Sequence, residues 1–73
     1  MAMRIYAPEE FASELFRRGC DKVRDNDDGS QLWRRTDGRH FLVPAPEGGG
    51  YPDWMLDDLI RQHDLPAVAR KPN

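Results

Sequence analysis

Apolar residues near the start of the chain recur at the spacing of one helix face. Phe11, Leu15 and Phe16 carry this pattern, which is typical of an amphipathic helix that packs its apolar stripe on a core. Proline suits the first helical turn, and glycine suits the position just after a helix ends. The sequence therefore predicts a helix over Pro8–Arg18, ended by Gly19.

A second apolar stripe lies towards the other end of the chain. Leu56, Leu59, Ile60 and His63 occupy positions i, i+3, i+4 and i+7, which share one face of a helix. With proline again in the first turn, the pattern predicts a helix over Pro52–His63.

The centre of the chain changes to the pattern of strands. Two β-prone runs, Gln31–Arg35 and His40–Val43, flank Asp37-Gly38, a pair that favours a two-residue type I′ turn because both central residues need positive φ. The sequence therefore predicts a β-hairpin. A short polar run, Cys20–Asp25, predicts an edge strand before it, and the turn-forming residues 26–30 join the two.

A two-residue turn also predicts which side chains share a face, since opposed residues lie on the same side of a hairpin. It places Arg34 opposite Phe41, and Trp33 opposite Leu42. One face then carries Leu32, Arg34, Phe41 and Val43, and the other carries Gln31, Trp33, Arg35, His40 and Leu42. We expect one face under the helices and the other presenting Arg35, His40 and Trp33.

The resulting order is α-β-β-β-α. An α+β fold, with a three-stranded antiparallel sheet and both helices on one face, buries the two stripes economically, and double-stranded-RNA-binding domains use this architecture. A chain of 73 residues has room for one domain, which we assign to residues 1–66. We expect a flexible tail at 67–73 and a flexible glycine-rich connector at 45–50.

Charge changes this picture only locally. The net charge is −2, which does not indicate nucleic-acid binding, but basic residues outnumber acidic ones across residues 17–39. A basic patch on a near-neutral protein can still bind phosphate. A mixed, solvated surface is the alternative interpretation.

Several kinds of site are disfavoured. Cys20 is the only cysteine, so we expect no intrachain disulfide and interpret it as a buried small apolar residue. With only His40 and His63 beside it, we expect no zinc site and no cofactor. The acidic turn at 26–30 lacks the terminal glutamate of a calcium loop, and the glycine run lacks the Lys and Ser/Thr of a phosphate loop. No run is apolar enough to span a membrane, and the start lacks a signal-peptide core, so we expect a cytoplasmic protein.

A series of short motifs runs in a fixed order from Phe11 to Leu65. They are Gly19 after the first helix, Gly29-Ser30, Asp37-Gly38-Arg39, Val43-Pro44, and the run Leu56-Asp57-Asp58-Leu59-Ile60-Arg61-Gln62. This order resembles the HicA toxins of bacterial toxin–antitoxin systems. The resemblance implies a fold like that of double-stranded-RNA-binding domains, and an mRNA-cleaving ribonuclease neutralised by an antitoxin partner, HicB.

The chemistry of that family is only partly matched. A histidine that follows Gly-Ser is taken as catalytic in the family, and here Gln31 stands in that place. Glutamine can hydrogen-bond a phosphate but cannot transfer a proton, whereas metal-free RNA cleavage needs a group that titrates near neutral pH. His40 is the remaining catalytic candidate. Asp57 and Asp58 would repel an RNA backbone where the family surface is commonly basic.

Three functions therefore remain open. The first is a HicA-like RNA-binding protein of a toxin–antitoxin or mobile-element system, with weak or no mRNA cleavage; the second is an active ribonuclease that uses His40. The third is a small protein-binding module or inhibitor, in which the fold is reused without RNA chemistry. The expected partners are accordingly RNA, an antitoxin-like protein or a target protein. The predicted RNA contacts are Ser30, Gln31, Trp33, Arg34, Arg35 and Arg39.

Overall fold

Two helices and a three-stranded antiparallel sheet form the body of the chain. The computed structural model describes residues 4–66, and the predicted tail at 67–73 lies outside the described residues. The α+β class and the α-β-β-β-α order are confirmed, with a further two-stranded sheet that the sequence did not predict. The elements are β1 (Ile5–Tyr6), α1 (Pro8–Arg17), β2 (Asp21–Asp25), β3 (Gln31–Arg34), β4 (His40–Val43), β5 (Tyr51–Pro52) and α2 (Asp53–Gln62).

The predicted helix boundaries agree with the structure to within one residue. Pro8 begins α1, and Gly19 follows it with a φ of +86°, in the left-handed region that glycine adopts without strain. Pro52 lies just before the first residue of α2. Neither helix, within residues 4–66, has the length and apolar character needed to cross a membrane.

The core lies between the helices and one face of the main sheet, in which β3 lies between β2 and β4. Because neighbouring strand residues point to opposite faces, one side of the hairpin is buried under both helices and the other is open. The buried residues include Phe11 and Leu15 of α1, Leu56 and Leu59 of α2, and Trp33, Phe41 and Val43 of the sheet.

The hairpin register differs by one residue from the prediction. Trp33 lies opposite Phe41, and Arg34 lies opposite His40. The cause is a three-residue loop: the Arg35 N–H donates to the Arg39 carbonyl at 2.7 Å, and the Gly38 N–H donates to the Arg35 carbonyl at 3.0 Å. Of the loop residues, Gly38 alone has positive φ (+90°), which is typical of a turn followed by a glycine bulge.

A shift of one residue exchanges the two faces of a strand. The prediction that Trp33 shares an exposed face with His40 is therefore wrong, because Trp33 is 3% exposed and lies in the core. Arg34 shares the open face with His40, whereas the two-residue turn predicts it on the face of Phe41.

The glycine-rich connector is a structured turn. Glu47 and Gly50 exchange two backbone hydrogen bonds of 3.2 Å, and Gly48 and Gly49 have φ values of +61° and +85°. A two-residue loop with positive φ at both positions has the form of a type I′ turn, so this turn type occurs here and not at Asp37-Gly38. The turn leads into β5, which pairs with β1 through Tyr6 and Tyr51.

Candidate functional site

The open side of the main sheet is the first candidate surface, and we call it the outer sheet face. Its centre holds two directly opposed pairs of side chains, Arg34 with His40 and Leu32 with Leu42. On β2, Asp21 lies across from Arg34 and Arg24 lies across from Leu32, with a bulge between them. The outer sheet face is therefore formed by Asp21, Arg24, Leu32, Arg34, His40 and Leu42.

The arginines predicted to bind RNA are not equivalent. The Arg34 side chain is exposed and forms no hydrogen bond or ion pair with another side chain within residues 4–66. Arg39 is also exposed, and its Nε lies 3.8 Å from the Asp37 carboxylate. Arg35 is held more tightly, since its side chain is 19% exposed and Nη2 lies 3.1 Å from Asp37. Arg34 is thus the arginine of this group most available to an external anion.

Gln31 and Trp33 lie away from the outer sheet face. The Trp33 indole N–H donates to Gln31 Oε1 at 2.9 Å, and Gln31 pairs with the buried Val43. Both side chains therefore face the helices and satisfy each other, because a buried indole N–H needs an acceptor.

Ser30 stabilises the turn before β3. Its hydroxyl donates to the Asp28 carboxylate at 2.6 Å, and its backbone N–H donates to the same oxygen at 2.9 Å. These bonds hold the pKa of Asp28 below its usual value, with the Ser30 hydroxyl as the main cause. Asn26 Nδ2 completes the cluster by donating to Ser30 Oγ at 3.0 Å.

The two histidines lie on different sides of the sheet. His40 is exposed opposite Arg34, whereas the His63 ring stacks on the buried Phe41 ring, with 4.7 Å between centroids. They therefore cannot act as an acid and base pair on one substrate. Within residues 4–66, no group of three or more His, Cys, Asp or Glu side chains could hold a metal ion.

A second surface was not recognised from the sequence. Trp54 is 55% exposed on α2 and lines a groove of about 260 Å³ together with Pro44, Glu47 and Tyr51. One signal was available, because Trp54 falls outside the apolar stripe that begins at Leu56. Its neighbours in space depend on the turn at Gly48-Gly49, which the helix pattern does not reveal.

The outer sheet face can hold an anion beside an apolar contact. A guanidinium forms two parallel hydrogen bonds with a phosphate, and the adjacent leucines offer a surface for an apolar group. Within the part of the chain that the structure describes, this face carries a single histidine, His40. The outer sheet face is therefore better suited to binding an anion than to transferring a proton.

Comparison of the chain with protein-family models, with curated proteins and with solved structures finds no match.

Proposed function

We propose that this chain is a HicA-like RNA-binding protein of a toxin–antitoxin or mobile-element system that holds the RNA backbone on its outer sheet face. One observation carries the proposal: Arg34 lies directly opposite His40 on an exposed face and forms no ion pair within residues 4–66, with Asp21 as its cross-strand neighbour on β2. Arg24 on β2 and Arg39 in the hairpin loop are exposed as well. Together they offer several donors to consecutive phosphates.

The proposed binding mode is led by phosphate contacts. Trp33 and Phe41, the aromatic residues of the hairpin, are both buried, so bases cannot stack on them. Contacts to phosphate position an RNA but carry little sequence information. We therefore expect weak sequence preference and a steep dependence of affinity on salt.

Cleavage is a minor part of this proposal. His40 could transfer a proton, but efficient RNA cleavage also needs a second group that donates or accepts one. The histidine that follows Gly-Ser in the HicA family is absent, and Gln31, which replaces it, is bonded to Trp33. We expect weak or no ribonuclease activity.

The test is the affinity for a short fluorescent RNA over a series of salt concentrations. Arg34→Ala should weaken binding about tenfold at low salt and lower the salt slope by about one. Arg61→Ala is the matched control. The Arg61 side chain is 79% exposed on α2, and its replacement removes the same positive charge. Unchanged affinity for Arg34→Ala, or an equal loss for both variants, would contradict the proposal.

A protein-binding module is the second candidate, and a specific observation favours it. Leu42 is 59% exposed and lies opposite Leu32, so the centre of the outer sheet face is partly apolar. Apolar residues bordered by arginine are common in protein interfaces. Under this alternative, Leu42→Ser should abolish capture of a specific protein from nuclease-treated host extract, while Arg61→Ala should not.

A further inference from the structure

The groove beside Trp54 has the form of a small binding site and shares no lining residue with the outer sheet face. It lies between the turn at Gly48-Gly49 and the first turn of α2, with a volume of about 260 Å³. Its floor is ordered: Tyr51 is buried, and its hydroxyl donates to the Pro44 carbonyl at 2.8 Å. Pro52 and Met55 complete the apolar lining.

Trp54 is the most exposed aromatic side chain in the described part of the chain. The stripe that begins at Leu56 faces the core, so a residue two positions earlier points away from it. Trp33 is buried with its N–H bonded to Gln31, whereas the Trp54 side chain makes no hydrogen bond or aromatic contact within residues 4–66. A large apolar ring left in water beside a groove is typical of a contact site for a partner.

The charge around the groove is negative. Glu47 lines the groove, is exposed and forms no ion pair within the described range. Asp57 and Asp58 follow Trp54 by three and four positions, which places them on the same side of α2. Asp58 is 3.8 Å from Arg61 in an exposed pair, which contributes little and is easily exchanged.

An exposed indole beside carboxylates matches one kind of ligand group. A guanidinium or ammonium is attracted to the face of tryptophan, and the attraction grows when a carboxylate lies close by. The apolar floor suits the methylene stem of the same side chain. RNA is disfavoured here, because carboxylates repel its phosphates.

We propose that this groove binds a basic peptide segment of a partner protein, with an arginine or lysine side chain stacked on Trp54 and paired with Glu47 or Asp57. The site is independent of the proposed RNA surface, since Arg34 and His40 lie on the outer sheet face. The partner is thus recognised through charge complementary to the groove.

The test uses a blocked peptide of alternating arginine and leucine, titrated into ¹⁵N-labelled protein. The two indole N–H signals distinguish the sites: the Trp54 signal should shift saturably, and the Trp33 signal, from an N–H in the core, should stay in place. A peptide with citrulline for arginine has nearly the same shape without the charge, and should bind at least about threefold more weakly.

Variants separate the contributions of the ring and of the charge. Trp54→Ala should weaken peptide binding about tenfold, and Glu47→Gln about threefold. The backbone amide signals of Gly48 and Gly50, which both variants retain beside the groove, measure these affinities. Glu9→Gln is the matched control, since Glu9 is exposed on α1 and its change removes the same charge. Because Trp54 is half exposed, the alanine variant should keep the fold, which the unshifted Trp33 signal would verify.

Three results would overturn the proposal. The first is no saturable shift of the Trp54 signal at millimolar peptide. The second is equal binding of the citrulline peptide, which would assign the groove to apolar ligands. The third is concentration-dependent self-association that Trp54→Ala abolishes, which would assign the groove to a second copy of this chain. A saturable, charge-dependent shift of the Trp54 signal in the wild type supports it, together with weaker peptide binding by Trp54→Ala, measured from the backbone amide signals of Gly48 and Gly50.

Discussion

One carboxylate and two arginines form a charge cluster on α1. The Glu14 carboxylate accepts from Arg18 Nη1 at 2.8 Å and lies 3.2 Å from Arg17 Nη1, with its side chain 22% exposed. The hydrogen bond from Arg18 is the largest cause of the lowered pKa of Glu14, and both arginines add attraction. Arg18 also donates to the Glu14 backbone carbonyl at 3.1 Å, which closes the end of the helix.

Glu14→Gln should lower the free energy of unfolding by about 0.5–1 kcal/mol near neutral pH. Since folding lowers the pKa of Glu14, its ionised form stabilises the folded state above the ordinary value of 4.5, and this contribution is lost as pH falls through the lowered value. The difference between wild type and variant should therefore disappear in acid. Urea unfolding at several pH values measures it.

A double-mutant cycle with Arg18→Gln provides the control. If the ion pair is the cause, the double variant should lose less stability than the sum of the single variants. Additive losses, or a Glu14→Gln difference that is as large in acid as at neutral pH, would show that the carboxylate acts through helix propensity and not through its charge.

At the scale of elements, the hairpin shows what a sequence pattern can and cannot determine. Both strands were predicted nearly to the residue, because β-prone runs around Asp-Gly are a strong local signal. The register of the hairpin was not predicted correctly. Asp37 accepts a hydrogen bond from the Arg39 N–H at 3.0 Å, which stabilises a three-residue loop in place of a two-residue one. One added loop residue was enough to exchange Trp33 for Arg34 on the open face.

Cross-strand disulfides provide a direct measurement of this register. Starting from the bonded pair Arg35–Arg39, alternation makes Leu32 and Leu42 a non-hydrogen-bonded pair, in which side chains lie closest. The double variant Leu32→Cys, Leu42→Cys should oxidise readily and raise the midpoint of thermal unfolding. The control is Leu32→Cys, Val43→Cys, which joins the residues that a two-residue turn would pair; these lie on opposite faces and should stay reduced. If only the control pair oxidised, the hairpin would have the register of a two-residue turn, and the three-residue loop would be contradicted.

Elements without a periodic pattern escaped prediction. Strands β1 and β5 have two residues each, too few to show alternation, and they pair across a long stretch of chain, with Tyr6 opposite Tyr51. In the two amphipathic helices, by contrast, the spacing of the apolar residues alone predicts which face is buried. The same contrast holds for the candidate sites. The sequence predicted the hairpin arginines, including the exposed Arg34, but it did not predict the groove at Trp54, which depends on a long-range contact.

At the scale of the whole molecule, a net charge of −2 conceals two surfaces of opposite character. Arg24, Arg34 and Arg39 lie on the strands and turn of the main sheet. Glu47 lines the groove, and Asp57 and Asp58 lie on the side of α2 that carries Trp54. Fields from exposed charges are screened within about 10 Å in ordinary buffers, so each surface can act on its own ligand. Net charge is therefore a poor guide to what this chain binds.

The two proposed sites should accordingly be separable in one protein. Arg34→Ala should lower the affinity for RNA while leaving the affinity for the arginine–leucine peptide within about twofold. Trp54→Ala should lower the affinity for the peptide and leave the affinity for RNA within about twofold. Anisotropy of the labelled RNA measures one affinity, and the backbone amide signals of Gly48 and Gly50, which both variants retain, measure the other. If either substitution weakens both ligands equally, the two surfaces are coupled through the core or the change has destabilised the fold, and thermal unfolding of the variant distinguishes these cases.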